Sequence, residues 1–503
     1  MDTFLAAMDA NTPVIVGVGQ WLGREEDPRA ALEPLASLET AARLAADDAG
    51  GGGRLLEQID TCGLVEIFGW KPQNGPQLLG QALGASPHRH LETATGGETG
   101  LVLINHVAEQ IARGETRVGL VAGGNNMQTL FNARAGNVWL KWNAGGEGKP
   151  TPLDEARWGS SELEQAYGMG IPLHVYPMFD NALRAARGTD PETHLRDLGR
   201  LMSRFSEVAA KNPYAWFPTF RSAEELSTVT PQNRLIAWPY PKYLNAVMTT
   251  DQAAAVLITS VEAARALGIP EERWVWWRGG AWTQEAAWFP SERRDFHSSE
   301  GLRAAVQGAL AQAGLELDAL AQLDFYSCFP SAVQMACAML DLAWDDPRGL
   351  TVTGGLPYAG GPANAYTLNA AAAMVERLRQ RRGDSGLLTG LGWYFTKHAA
   401  TVLASAPAEP GAAEPAPELA LPPPVPVSAE AEGPARVETY TVLFGRDGTP
   451  KRGIVIGRLD GGERFLANTP DDRATLESLV EHEGVGLPGR VQHANDRNVF
   501  TPS

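Results

Sequence analysis

A glycine-rich turn that opens an apolar helix and leads to a buried strand closed by glycines is written twice in this chain. That duplication restricts the fold more than any other feature. Gly96-Gly97-Glu98-Thr99-Gly100 precedes an apolar helix over residues 101–113, a turn at Gly114, a strand over 118–122 and the pair Gly123-Gly124. The same order returns late in the chain. Gly360-Gly361-Pro362-Ala363-Asn364 precedes a helix over 365–379, a turn at Gly383-Asp384, a strand over 386–389 and Gly390-Leu391-Gly392. Helices with so broad an apolar surface need cover on more than one side, which places both inside layered sheets. Two similar α/β halves packed together are expected, with the loops of a site at equivalent helix starts. The residues leave open a plainer alternative, two unrelated α/β segments.

Other segments fit an α/β chain. Residues 14–19, 62–68 and 118–122 are apolar strand candidates, and 38–48 is an Ala/Leu helix. The 503 residues exceed what one core of about 250–300 residues holds, so more than one domain is expected. The formal charge of −17, with no long basic run, argues against nucleic acid or an anionic membrane as the main partner, while a local basic patch for phosphates remains compatible. No stretch reaches the ~18–20 apolar residues of a membrane span, and residues 1–13 have no secretory pattern. A cytoplasmic location is expected. The three cysteines, Cys62, Cys328 and Cys337, form no Cys-x-x-Cys pair and no zinc spacing, so no metal site is expected.

Composition breaks sharply at residues 406–434, a Pro/Ala/Glu tract that reads as a semi-extended linker. Beyond it, 437–444, 454–459, 464–467 and 489–492 read as short strands, with a hairpin turn at Asp460-Gly461-Gly462 and a helix over 474–483. Residues 435–503 are expected to be a small β-rich domain, with turns suited to a little barrel.

The first 405 residues resemble the thiolase superfamily. Asn212-Pro213-Tyr214-Ala215 is similar to the Asn-Pro-Tyr-Ala stretch of sterol-carrier-type thiolases, and residues 244–260 to their Asp-Gly-Ala-Ala-Ala segment, with Gln252 at the glycine. Tyr326-Ser327-Cys328-Phe329 resembles His-Asp-Cys-Phe, and residues 354–362 match Gly-Gly-x-x-x-x-Gly-His-Pro in spacing. Ala122-Gly123-Gly124 resembles Ala-Gly-Gly-x-Glu, with Asn126 at the glutamate. Residues 390–398 resemble a Gly-x-Gly-x-x-x-x-Lys-His ending of bacterial acetyl-CoA acetyltransferases. The extra C-terminal domain resembles that of the type 1 thiolase-like subgroup. The resemblance implies an αβαβα thiolase fold with one half over residues 1–270, including an inserted loop region at about 128–241. The second half covers 271–405, the linker 406–434 and the additional domain 435–503.

The departures bear on chemistry. Thiolases carry a nucleophilic cysteine at a helix start in Cys-x-Ser-Gly, where the helix dipole lowers its pKa. Aligning Thr99-Gly100 with that Ser-Gly puts Gly97 at the cysteine. Thr95 and Thr99 are nearby hydroxyls without an obvious base, and Glu98 is read as a carboxylate that favours the helix dipole. The activating histidine of Gly-His-Pro falls at Gly361. Ordinary ping-pong acyl transfer is therefore disfavoured. A conventional acetyltransferase remains the alternative in which the alignment is shifted, with Cys62 the other N-terminal cysteine.

Tyr326 takes the histidine position of His-Asp-Cys-Phe and can donate a proton or hydrogen bond to a developing oxyanion. Cys328 keeps that motif's cysteine. Tyr358 and Tyr366 are further tyrosine candidates near the missing histidine, and His398 a candidate base or CoA contact. Each has a structural alternative as a packed side chain, as does His106 on the apolar helix. Asn364 is explained as a helix N-cap. Gly97, Gly355 and Gly360 are the candidate CoA-contacting backbone positions. The tyrosine pattern resembles thiolase-fold steroid side-chain aldolases, which lack the cysteine and work with a zinc-bearing partner of the oligonucleotide-binding fold; the additional domain here has no cysteine to hold zinc.

These features imply a protein for acyl-CoA thioesters, with CoA as substrate moiety and no covalently bound cofactor. It would make or break a C–C bond without a cysteine nucleophile, in the manner of an acyltransferase or aldolase-like lyase. A non-catalytic acyl-CoA binder is the alternative. A homodimer or a protein partner is compatible with either.

Overall fold

The computed structural model describes residues 10–408 and 419–503. Residues 409–418, in the expected linker, lie outside the described residues. In the first half, β1 (Pro13–Leu22), β2 (Thr61–Leu64), β3 (Arg89–Glu92), β4 (Val118–Asn126) and β5 (Asp251–Ser260) form a leaf in the order β3-β2-β4-β5-β1. The β2–β3 and β2–β4 pairs are parallel, and β4–β5 and β5–β1 antiparallel. Helix α1 (Pro34–Asp48) covers one face of this leaf, and α2 (Thr99–Ala112) packs on the other. Between β4 and β5 the expected insertion holds several helices, among them α3 (Pro172–Ala186).

The second half repeats the plan. Its leaf runs β6-β9-β8-β7, from β6 (Val275–Gln284), β7 (Gln322–Asp324), β8 (Ser385–Gly392) and β9 (Lys397–Ala404). Helix α4 (Glu300–Ala313) covers its outer face, α5 (Pro330–Met339) follows β7, and α6 (Tyr366–Gln380) precedes β8. The leaves join edge to edge through only Val14↔Trp276 and Ile15↔Val275, so the sheet folds over on itself there. Helices α2 and α6 fill the space between the leaves, which gives the five layers α–β–α–β–α. An added side chain at Gly100 would meet Thr367 Oγ1 at 2.5 Å, so this glycine is what lets the two central helices cross closely. The repeat in the sequence is thus α2–β4 and α6–β8, related by the same strand order on both sides.

The C-terminal domain is a barrel. Strands β10 (Gly433–Phe444), β11 (Pro450–Leu459), β12 (Arg464–Asn468), β13 (Pro488–Ala494) and β14 (Arg497–Pro502) close a five-strand ring through β10–β11, β11–β12, β12–β14, β14–β13 and β13–β10. Tyr440, Val455, Phe465, Leu476, Val491 and Phe500 fill it. The structure adds two details to the expected domain. The domain begins earlier than residue 435: Val427–Ser428 pairs with β12, β10 starts at Gly433, and Ala431 is in the barrel core. The latter part of the expected linker is therefore barrel, its two-residue strand too short to show a pattern among the surrounding Pro and Ala. The insertion also donates a strand, Leu235–Ala237, to the edge of β10.

The barrel is locked to the body by buried polar contacts. Ile454, Ile456 and Leu466 join the main core. On α3, Asn181 Nδ2 donates to Tyr440 O at 2.9 Å, and the buried Arg184 pairs with Glu483. Arg464, fully buried, donates to Ser291 O at 3.0 Å, to Arg293 O, to Arg294 O at 3.2 Å and to Glu438 at 2.5 Å. Replacing Arg464 with methionine leaves those carbonyls unpaired and Glu438 with Arg458 as its remaining partner. The expected cost is about 3 kcal/mol, read as a lower urea midpoint for the whole chain; an unchanged midpoint would mean the contact contributes nothing.

Candidate active site

A cavity of about 1050 Å³ opens where the two halves and the insertion meet. The start of α2 contributes Thr95, Gly96 and Gly97. The turn before α5 contributes Tyr326, Cys328 and Phe329, and the segment before α6 contributes Tyr358, Gly361, Ala363 and Asn364. The turn between β8 and β9 adds Trp393, and the insertion adds Tyr176 and the cation Arg221, whose guanidinium lies 3.9 Å from the Tyr243 ring centre. Several bulky apolar side chains at this cavity remain exposed, Ile171, Phe217 and Met248 among them. Such a space suits a large apolar ligand.

Backbone strain collects here. Ala363, Trp393 and Phe395 have φ of 49°, 53° and 60°, where non-glycine residues are strained and bulky ones rarely found. The other such residues are Asn or Asp, which tolerate the conformation. Ala363 and Trp393 line the cavity, and Phe395 lies two residues on in the same hairpin turn. The Trp393 carbonyl accepts the Tyr176 hydroxyl at 2.5 Å.

The decisive geometry is at Gly97. A Cβ there would lie 2.1 Å from Tyr326 Oη, 2.4 Å from Cζ and 2.6 Å from Leu391 O. The space that a side chain at Gly97 would take is therefore filled by the tyrosine hydroxyl. Gly361, the histidine position, lines the cavity, and a Cβ there would meet Val247 O at 3.2 Å, a tight contact. Tyr326 is held by Tyr366, edge-on at 5.5 Å and 89°, and by its own N–H donating to Thr389 Oγ1. Tyr366 itself is in contact with Thr353 Oγ1 at 2.6 Å and does not line the cavity. Burial pushes the Tyr326 phenol well above its ordinary value, with Cys328 and Glu98 adding to the effect. Burial likewise pushes the Cys328 thiol up to about 12, against an opposing contact with Tyr176. Both groups are proton carriers at neutral pH. The Tyr358 phenol, also raised by burial, has a buried hydroxyl with no partner among the described residues.

Of the expected site residues, Gly97, Tyr326, Cys328 and Tyr358 share this cavity, and His398, Gly355 and Gly360 do not line it. Gly355 and Gly360 have φ of 79° and 101°, and a side chain would strike Ser327 and Gln252 respectively; they shape the turn behind the wall. His398 lies on β9 and faces away. Its Nε2 is 3.1 Å from Ser299 Oγ and 3.5 Å from Glu285 Oε1. Burial alone would raise Glu285, but His398, Arg293 and Ser299 hold it at about 2 instead of 4.5. A depressed carboxyl stabilises the fold fully above its unfolded pKa, and that share is lost as pH falls from about 4.5 toward 2. Glu285→Gln should remove at most about 3 kcal/mol at neutral pH and flatten the stability–pH curve below pH 4.5; an unaltered acid limb would contradict the assignment.

Lys397, beside His398, is what reaches the site loop. Its Nζ lies 2.7 Å from Glu98 Oε1 and 3.0 Å from Asp154 Oδ2, and donates to Thr95 O at 3.0 Å. Burial opposes the charge on Lys397, but the two carboxylates outweigh it and raise its pKa. Glu98 is thus a fully buried ion-pair partner. Asn364, expected as a cap, instead accepts from Gly96 N and donates to Glu66 O, each at 3.0 Å. Cys62 is buried on β2 among the side chains packed against α1, and Cys337 is buried in α5, so neither is a displaced nucleophile at this cavity.

Comparison with known proteins bears on the family and the fold. Residues 416–496 match the family described as the thiolase-like protein type 1 additional C-terminal domain. A monomeric SCP2-thiolase-like protein type 1 from Mycobacterium smegmatis is 34% identical, with 99% of this chain and 100% of that chain covered and a TM-score of 0.84. The chain belongs to that family. Two more distant structures share the fold of the SCP2-thiolase-like body. An Ltp2–ChsH2(DUF35) aldolase is 20% identical over 78% of this chain and 98% of its own, with a TM-score of 0.59. An acetyl-CoA acetyltransferase from Syntrophomonas wolfei is 16% identical over 79% and 100%, with a TM-score of 0.54. No curated protein matches the sequence. Among the described residues, no helix is long and apolar enough to cross a membrane.

Proposed function

We propose that this SCP2-thiolase-like protein acts on acyl-CoA thioesters and makes or breaks a C–C bond without a cysteinyl intermediate. The observation that carries the proposal is the Tyr326 hydroxyl standing where a Gly97 side chain would be. With no thiol there and no imidazole at Gly361, the chemistry left to the cavity is proton transfer and charge stabilisation. Tyr326 donates a hydrogen bond to the enolate or thioester oxyanion, with backbone N–H groups at the start of α2 as further donors. The protonated Cys328 thiol supplies a proton to carbon. Tyr358, with its unpartnered hydroxyl, orients the ligand's polar end. Strain at Ala363 and Trp393 is what a preorganised site requires. CoA enters as substrate, the protein works in the cytoplasm, and any partner engages it as a separate chain.

The test is incubation of the full chain with 3-hydroxyacyl-CoA esters carrying short, medium and polycyclic acyl groups. An aldehyde or ketone together with a shortened acyl-CoA is the expected result. Tight binding with no product across the whole panel would reject the enzymatic proposal.

A further inference from the structure

The retro-aldol direction needs a base for the substrate hydroxyl, and none of the residues above is one. Beside Gly97 the structure contains a hydroxyl–carboxylate pair. Thr95 Oγ1 donates to Glu66 Oε2 at 2.5 Å, and Lys71 pairs with the other carboxylate oxygen, Oε1. Thr95 lines the cavity, while Glu66 lies behind it with its side chain 17% exposed, enough to pass a proton to solvent. The geometry of the pair is fixed from several sides. Ala94 N donates to Asp154 at 2.5 Å, Thr95 O accepts from Lys397, Gly96 N donates to Asn364, and Asn364 in turn donates to Glu66 O. Because Thr95 spends its own proton on Glu66, only lone pairs remain to face the ligand. Such a group selects a donor, a hydroxyl, and rejects a carbonyl. Tyr326, two residues' breadth away at Gly97, presents the opposite polarity, a donor.

We propose that Thr95, backed by Glu66, is a further catalytic residue that receives the hydroxyl of a 3-hydroxyacyl thioester and relays its proton to Glu66. This rests on the proposed function above and names its base and substrate class. In the step, the substrate O–H proton passes to Thr95 Oγ as Thr95 gives its proton to Glu66. The O–H electron pair becomes the carbonyl π bond, and the Cα–Cβ pair moves onto the thioester as an enolate held by Tyr326. Cys328 protonates Cα, and the thiolate is reprotonated as Glu66 returns its proton through solvent. The products are an aldehyde or ketone and a shortened acyl thioester, with no net redox change.

Calorimetry with 3-hydroxyoctanoyl-CoA and octanoyl-CoA tests recognition apart from turnover. The wild-type chain should bind the hydroxy ester about 5-fold more tightly, the equivalent of one hydrogen bond. Thr95→Val should lose that preference with octanoyl-CoA affinity unchanged, and Thr95→Ser should restore it. In turnover, Thr95→Val should lower kcat about 10²-fold or more and raise KM by no more than the lost preference of about 5-fold, again rescued by serine, and Glu66→Gln should lower kcat likewise. No hydroxyl preference in the wild type, or a preference that survives in Thr95→Val, overturns the assignment. Turnover that persists at wild-type rate in Thr95→Val overturns Thr95 as base and leaves the C–C chemistry standing. A preference lost in Thr95→Val while the wild type cleaves nothing overturns the catalytic role and the proposed function together, leaving a hydroxyl-recognition site.

Discussion

Tyr326→Phe should lower kcat by about 10²–10⁴-fold and leave the affinity for acyl-CoA nearly intact. The substitution deletes one oxygen from a ring that is otherwise held in place by the edge-on Tyr366 contact and the Tyr326 N–H to Thr389 bond, so the wall keeps its shape. What is lost is the hydroxyl beside Gly97, the group placed to meet the oxyanion. Because burial holds the phenol well above its ordinary value, Tyr326 stays protonated through the neutral range and should add no ionisation to the pH–rate profile below pH 10. Steady-state kinetics with calorimetry separates the two effects. Unchanged kcat would remove Tyr326 from the mechanism, and a large loss of affinity with kcat preserved would make it a binding residue.

Gly97→Cys is the second large effect, and it runs against the intuition that restoring a thiolase's cysteine restores a thiolase. The new Cβ falls 2.1 Å from Tyr326 Oη and 2.6 Å from Leu391 O, far inside contact, and the latter is backbone and cannot swing away. Tyr326 must leave its place. Overpacking of this kind costs about 1–3 kcal/mol, and the displaced hydroxyl should reduce C–C turnover as severely as Tyr326→Phe does. No acyl transfer should appear in exchange, since Gly361 offers no imidazole to make the thiolate. Gly97→Ala is expected to behave the same way, which identifies the space, not the sulfur, as the cause. Wild-type turnover in Gly97→Ala would contradict the fit between Gly97 and Tyr326.

The fold was legible because its strongest signals are local. A glycine turn, an apolar helix and a glycine-closed strand sit within about thirty residues in each half, and the copies α2–β4 and α6–β8 follow that pattern. The vacancy at Gly97 was readable for the same reason. What fills it was not, because Tyr326 lies more than two hundred positions along the chain and only the meeting of the two halves brings its hydroxyl there. Thr95 seemed to lack a base since Glu66, past the end of β2, becomes its neighbour only through the β2–β3 pairing. His398 and Lys397 show a different difficulty. Adjacent residues of a strand point to opposite faces, so one motif sends Lys397 to the site loop and His398 to Glu285 and Ser299. A spacing match alone does not choose between them. The barrel's early strand was obscured because a two-residue strand in a Pro/Ala tract leaves no periodicity.

Intact-protein and peptide mass spectrometry after exposure to an acyl-CoA substrate, quenched in acid during turnover, is the most direct test of the missing thiol nucleophile. An unmodified chain at every time point is predicted, with Cys328, the thiol at the cavity, recovered free. A thioester adduct on Cys328, formed and consumed at the rate of turnover, would contradict the account.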